Sequence, residues 1–279
     1  MNLNGILGRV KNTFTDVNAK PKLVFLHVPK CGGTSIDTAI RCQYFTLNKL
    51  NDDIVHDRLD SLRSAYIGSV KHNLNFTKGD PKNNRNMEFN QDFVAYRMLD
   101  PNIKYISGHF PFDQKIYNEF ENEYDFFTIL RDPVKKWLSN YHYRANRYSL
   151  IKGNKVKHWD IVEDMEEYLN SERGQFHGYD YAKYYGGIEA NYDYNSRESI
   201  EKAKENLKNF KIIGFLEDLD GFKEDFKNNY GFKLNIKHRN SSKNSENKLP
   251  DHLIDKIKEV CKTDIEIYEY AKTLMKKTL

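Results

Sequence analysis

Apolar positions along the chain fall into short blocks, and the spacing inside each block predicts its element. Lys22-Leu23-Val24-Phe25-Leu26-His27-Val28 is a continuous apolar run closed by Pro29, which reads as a buried strand. Thr34 to Arg41 has helical character after a glycine pair. Ile103 to Ser107 and Tyr124 to Leu130 predict two further strands, the second ending at Arg131-Asp132-Pro133. Pro133 suits the first turn of a helix running to about Tyr148. A helix is expected over His158 to Leu169, another over Glu198 to Phe210, a strand over Lys211 to Leu216 and a helix over Asp218 to Asn229. The last apolar-periodic stretch, from about Pro250 to Lys276, predicts one long helix. Leu3, Ile6, Leu7, Val10 and Phe14 recur at helical spacing and predict a short amphipathic N-terminal helix, against which Gly5 and Gly8 count. The polar stretch Lys71 to Gln91 and the tyrosine-rich stretch Phe176 to Gly187 read as irregular, and Asn240 to Lys248 as a polar linker. Strands alternating with helices imply an α/β fold, P-loop-like, with a mostly parallel sheet flanked by helices on both faces.

Length and composition refine this picture. The 279 residues suit one large domain over residues 21–279 behind an N-terminal helical extension over residues 1–20. A net charge of +4 decides nothing about partners by itself, and no nucleic acid is expected. Distribution says more: Pro133 to Trp159 carries no acidic residue but contains Lys135, Lys136, Arg144, Arg147, Lys152, Lys155 and Lys157. That stretch reads either as a solvated helix face or as a surface that attracts an anion. Cys31, Cys42 and Cys261 are too widely spaced for a zinc site or a disulfide framework. With no secretory leader pattern and no transmembrane segment, the expected location is cytoplasmic.

The chemistry concentrates after the first strand. An anion held there needs inward backbone N–H groups, room for close approach and positive potential. Lys30-Cys31-Gly32-Gly33-Thr34-Ser35 offers all three: glycines without Cβ atoms, a helix N-terminus behind them, the Lys30 charge and two hydroxyls. In the nucleotide triphosphatase cradle the lysine follows the second glycine, whereas here it precedes the pair. A triphosphatase also needs an acid at a second strand end to place magnesium. At that position Arg131 precedes Asp132, and a cation suits an additional phosphate better than a metal.

Val28-Pro29-Lys30-Cys31-Gly32-Gly33-Thr34-Ser35, followed by Leu130-Arg131-Asp132-Pro133-Val134 and Ser139-Asn140-Tyr141, resembles the carbohydrate sulfotransferases. The likeness is to the branch with heparan 2-O- and chondroitin sulfotransferases and their bacterial relatives, and it extends loosely over most of residues 22–273. The resemblance implies 3′-phosphoadenosine 5′-phosphosulfate (PAPS) as donor and no metal. It implies that Lys30, Cys31, Gly32, Gly33, Thr34 and Ser35 grip the 5′-phosphosulfate, and that Arg131 and Ser139 grip the 3′-phosphate.

Sulfuryl transfer requires an in-line hydroxyl, a base for its proton and a cation for the leaving phosphate oxygen; Lys30 is the expected cation. His109 is the expected base. It follows a short strand in Ile106-Ser107-Gly108-His109, where α/β sites gather, and resembles the second histidine of the family's H-G-H segment. Ser107 stands where the first would be. His27 and His142 are lesser competitors. Arg239 and Lys243, in His238-Arg239-Asn240-Ser241-Ser242-Lys243, fall where the family has a lid over the nucleotide. The expected acceptor is a hydroxyl on a glycan or a glycolipid sugar: the basic stretch Arg144 to Lys157 and a stacking wall of Tyr179, Tyr181, Tyr184 and Tyr185 suit a glycan, and would also suit a tyrosine-containing peptide or a lipid-linked sugar. Two other readings remain open: a kinase or nucleotide triphosphatase, which magnesium dependence would reveal, and a nucleotide- or polyanion-binding module without turnover.

Overall fold

A computed structural model of the chain describes residues 20–44, 56–59, 70, 85–145, 148–151, 154–157, 164–187, 193–237 and 249–276. The expected N-terminal helix and the lid segment 238–243 lie outside the described residues, as does 158–163.

Five strands form one parallel sheet: β1 (Lys22–Leu26), β2 (His56–Arg58), β3 (Tyr105–Gly108), β4 (Tyr124–Leu130) and β7 (Ile212–Phe215), in the order β2-β3-β1-β4-β7. Leu26 pairs with Gly108 on one side and Thr128 on the other, which brings the C-terminal ends of β3, β1 and β4 side by side. Every residue of β3, and every residue of β1 after Lys22, is buried, because both faces of the sheet are covered.

Side-chain alternation assigns the faces. On one, Phe25 stacks on Phe127 at 4.6 Å, and Phe127 meets Phe226 of α9 (Leu219–Tyr230) at 4.9 Å. Such ring pairs add about 0.5–1.5 kcal/mol each beyond their buried area. Asp37 of α1 (Gly33–Arg41) packs there too, accepting from Ser107 Oγ at 2.6 Å and Tyr105 Oη at 3.1 Å. On the other face, Phe126 meets Tyr117 of α3 (Gln114–Phe120) at 5.3 Å, and Thr128 Oγ1 shares a 2.9 Å hydrogen bond with Tyr185 Oη of α7 (Asp180–Gly186). Helices thus cover both faces, as the alternating pattern predicts.

Some boundaries differ from the sequence reading. The end of the supposedly irregular stretch 71–91 is helical: α2 spans Arg85–Met98, with Val94 and Met98 buried in the core and Asn90 and Gln91 anchored to backbone near β3. The tyrosine-rich stretch contains α7, all seven residues of which are buried. Tertiary burial there overrides the modest helix propensity of aromatic residues. The helix after Pro133, α4, ends at Ala145, and Tyr148 opens an antiparallel pair, β5 (Tyr148–Ile151) with β6 (Asn154–Lys157). The helix expected from His158 starts, among the described residues, at Met165 behind an Asp164 cap, forming α5 (Met165–Asn170). It is followed by α6 (Glu172–Phe176) and, after α7, by α8 (Arg197–Leu207). The long C-terminal helix is broken at Cys261 into α10 (Asp251–Val260) and α11 (Lys262–Lys276).

That break carries Asp264 inward. Lys136 of α4, read from sequence as part of a basic surface, is 1% exposed. Its Nζ lies 2.8 Å from Asp180 Oδ2 and 2.9 Å from Asp264 Oδ2, and donates to His177 O at 3.1 Å. Burial would lower the Lys136 ammonium, but the two carboxylates hold it well above its usual value. Burial would likewise raise Asp180, yet Lys136 and His177 hold it well below the usual range. Burial pushes Asp264 up to about 7 against the pull of Lys136. Removing one partner of such a group would leave an uncompensated buried charge, at a cost of about 3–5 kcal/mol. Lys136 therefore joins α4, α7 and α11 through their own carboxylates and is not part of a surface that would attract a ligand anion.

Candidate active site

The loop after β1, the turn after β3 and the turn after β4 emerge at neighbouring strand ends, where an α/β sheet gathers ligands. All three carry residues singled out in the sequence.

In the first loop, Lys30 takes a left-handed conformation (φ 69°), which costs a side-chain-bearing residue roughly 1–2 kcal/mol. Gly32 follows at φ 75° as the N-cap of α1, with no side-chain cap and no acidic residue in the first turn. The helix thus presents its N-terminal end without a carboxylate competing for it. Gly33 is required by contact: a Cβ there would lie 2.0 Å from His27 Nε2. Thr34 is exposed and Ser35 half-buried at the start of α1. Cys31 differs from the others. Its side chain is fully buried, with Sγ 3.5 Å from Tyr181 Oη, and burial pushes the thiol up to about 11. Only its backbone belongs to the loop.

Arg131 follows the end of β4, and its Nη1 donates to Lys30 O at 3.1 Å, tying the second motif to the first. Asp132 caps α4: its Oδ1 accepts from Lys135 N at 2.9 Å and its carbonyl from Lys136 N at 2.8 Å. Ser139 lies half-buried further along α4. Tyr143, near the end of that helix, carries the Lys30 ammonium 4.0 Å above its ring centroid, a cation–π contact.

His109 lies just past β3, half-buried, with Nδ1 2.5 Å from His27 O. A carbonyl can only accept, so Nδ1 carries the proton and Nε2 keeps its lone pair. Burial lowers the His109 pKa, and Arg58 and Lys30 add to the effect, while the hydrogen bond to His27 and the Asp180 charge oppose it. Asn90 Nδ2 donates to His109 O at 2.8 Å and fixes the turn. The result is a neutral imidazole with an available acceptor nitrogen at a cationic strand edge. His27, 8% exposed, sits between Phe25 (5.3 Å) and His109 (4.4 Å), with Nε2 buried and without a hydrogen-bond partner. Burial foremost, then His109, Arg58 and Lys30, lowers its pKa well below the ordinary value, so it serves as a neutral spacer. Ser107 bonds to Asp37, whose Oδ2 is 3.9 Å from Arg58 Nη1. It therefore anchors α1 to β3 and does not stand in for a histidine.

Two expectations are corrected. Tyr181 and Tyr185 are fully buried and Tyr184 is 7% exposed, so these rings are core and form no stacking wall; Tyr179, half-buried, stacks on Tyr194. Of the basic stretch, Lys136 is internal while Lys135 is exposed. Nothing in the local sequence marks Arg58 or Asn90, and Tyr181 is expected in another role; they reach the site from a short edge strand, an unexpected helix and a segment read as loop. A cavity of about 380 Å³ lined by Tyr124, Asp125, Phe126 and Lys211 opens at the opposite end of the sheet, away from these loops.

A model described as the sulfotransferase family matches residues 14–271 of the chain. Among solved structures, the mouse sulfotransferase SULT7A1 complexed with PAP is similar over 91% of this chain and 68% of its own, at 14% identity and a TM-score of 0.37. That likeness is too loose to carry an argument. No curated protein matches the sequence significantly.

Proposed function

The chain belongs to the sulfotransferase family, and from that premise we propose that it transfers the sulfuryl group of PAPS to a hydroxyl, with a glycan or glycolipid sugar as acceptor. The observation that carries the reading is the junction of the two motifs, Arg131 Nη1 on Lys30 O, at strand ends one strand away from the available nitrogen of His109.

In this proposal the N–H groups of the loop from Lys30 through Cys31, Gly32, Gly33, Thr34 and Ser35 receive the 5′-phosphosulfate. Arg131 and Ser139 receive the 3′-phosphate, to which a guanidinium offers a fork of donors. His109 Nε2 takes the proton of the acceptor hydroxyl as its oxygen bonds to sulfur. The bond between sulfur and the 5′-phosphate oxygen breaks, and its electron pair leaves on the nucleotide, 3′-phosphoadenosine 5′-phosphate (PAP). Lys30 meets the charge that grows on that oxygen. The sugar acceptor rests on the resemblance of both motifs to the carbohydrate branch. A cytoplasmic location belongs to the same proposal, supported by three cysteines that are all free. Among the described residues no helix is long and apolar enough to cross a membrane.

The kinase or triphosphatase reading loses its acid: Asp132 is engaged in capping α4. The test is incubation with PAPS and a panel of sugar, peptide and small-molecule hydroxyl acceptors, following PAP release. Release that requires an acceptor, persists in a chelator and is lost in Lys30→Ala supports sulfuryl transfer. Magnesium-dependent hydrolysis of ATP with no use of PAPS would overturn it, and PAP binding without turnover on any acceptor would favour a binding module.

A further inference from the structure

We propose that Tyr181, which belongs to neither donor motif, is the positioning residue that locks those motifs together, so that recognition of the 3′-phosphate depends on its hydroxyl. The proposal rests on the donor reading above. Its starting point is an unfinished stretch of backbone. The β4 ladder ends at Leu130, whose carbonyl accepts from Leu216 N at 2.8 Å, and α4 begins its hydrogen bonds at Asp132 O. The N–H and C=O of Arg131 fall between strand and helix, served by neither, and buried backbone groups need partners.

Tyr181 supplies both. Its hydroxyl accepts from Arg131 N at 2.8 Å and donates to Arg131 O at 2.6 Å. Its remaining lone pair lies 3.5 Å from Cys31 Sγ, 150 residues away in sequence. The hydroxyl proton is committed to Arg131 O, and the single thiol proton of Cys31 has two acceptors in reach, Tyr181 Oη at 3.5 Å and Pro29 O at 3.8 Å. A peptide held on both sides fixes the direction in which the Arg131 side chain leaves the backbone. The same hydroxyl also touches the first loop, through the longer contact to the buried Cys31 thiol.

Tyr181 is itself held from three directions. It is fully buried, its N–H donates to Asp264 Oδ1 at 2.8 Å, and the Lys136 ammonium lies 5.0 Å from its ring centroid. The Lys136 ion cluster thus acquires a purpose: it seats the helix whose hydroxyl aligns the two loops. Tyr185, one turn further along α7, makes a good comparison. It is equally buried and its hydroxyl is also hydrogen-bonded, but to Thr128 in the middle of β4 and to neither motif.

The experiment is calorimetric titration with PAP and with adenosine 5′-monophosphate, which lacks the 3′-phosphate, on wild type, Arg131→Ala, Tyr181→Phe and Tyr185→Phe. Wild type prefers PAP and Arg131→Ala loses the preference. Tyr181→Phe binds PAP about tenfold more weakly, the scale of one lost hydrogen bond, and the monophosphate as before. In turnover it raises the KM for PAPS and leaves kcat at saturating donor largely unchanged. Tyr185→Phe keeps both affinities, whatever it does to thermal stability. A Tyr181→Phe protein with unchanged PAP affinity, or with both nucleotides weakened equally, overturns the proposal. No change in Arg131→Ala would instead overturn the donor reading. If Tyr181→Phe does not fold, Cys31→Ala, which removes the loop end of the bridge together with the Sγ contact to Pro29 O at 3.8 Å, is expected to weaken PAP binding, and unchanged binding refutes the proposal.

Discussion

Replacing Gly33 by Ala would place a Cβ 2.0 Å from His27 Nε2, 2.1 Å from Cδ2 and 2.4 Å from Cε1, where ordinary contact begins near 3.4 Å. The imidazole would have to retreat by well over an ångström. It has little room to do so, being stacked on Phe25 at 5.3 Å and against His109 at 4.4 Å. Overpacking usually costs about 1–3 kcal/mol, and a ring held on two sides belongs at the top of that range, which lowers Tm by roughly 6–12 °C in a chain of this size. The disturbance is also functional, because His27 O holds His109 Nδ1. Turnover falls by at least about tenfold, the equivalent of 1.4 kcal/mol in the barrier. The assay is a double-mutant cycle, with thermal unfolding and PAP titration of wild type, Gly33→Ala, His27→Ala and the double variant. In the His27→Ala background the new methyl enters vacated space, so Gly33→Ala adds less than about 0.5 kcal/mol there. Equal penalties in both backgrounds, or a neutral Gly33→Ala in wild type, would refute the argument that the ring dictates the glycine.

Two further predictions follow from the titrating groups. His109→Ala retains PAP affinity while turnover falls roughly 10²–10⁴-fold, the usual loss for a general base. Because burial lowers the His109 pKa, kcat/KM in wild type rises with pH along a limb centred below the ordinary histidine value of 6.5, and the variant loses that limb. A wild-type limb centred above 6.5 contradicts this. Asp264, raised to about 7 from 3.8, binds its proton more tightly in the folded chain, so its stabilisation is full at acid pH and is lost as pH rises through the folded value. Between about pH 6 and pH 8 the loss is on the order of 1 kcal/mol. Asp264→Asn removes that slope in chemical denaturation, and a slope identical to wild type would show that Asp264 does not titrate there.

The parts of the site legible in the sequence are those written locally. A glycine pair after an apolar run, and an Arg-Asp-Pro after another, mark strand ends whatever the rest of the chain does, and β4 falls at the expected residues Tyr124–Leu130. What was not legible depends on contacts distant in sequence. A tyrosine-rich, glycine-flanked segment looks irregular until its rings are buried under β4 as α7. Lys136 looks like its exposed neighbour Lys135 until Asp180 and Asp264 arrive from other elements. Cys31, counted with the cradle by position, turns its side chain away to Tyr181. Asp264 could come inward only because the predicted single C-terminal helix breaks at Cys261, which is buried with Sγ 3.7 Å from Pro133 O.

The most direct measurement is a crystal structure of the protein with PAP bound. The account predicts the 5′-phosphate on the loop from Lys30 to Ser35, the 3′-phosphate on Arg131 and Ser139, and the His109 side of the cleft open for an acceptor. A nucleotide seated elsewhere, or lying in the reverse direction with its 3′-phosphate on the glycine loop, would contradict it.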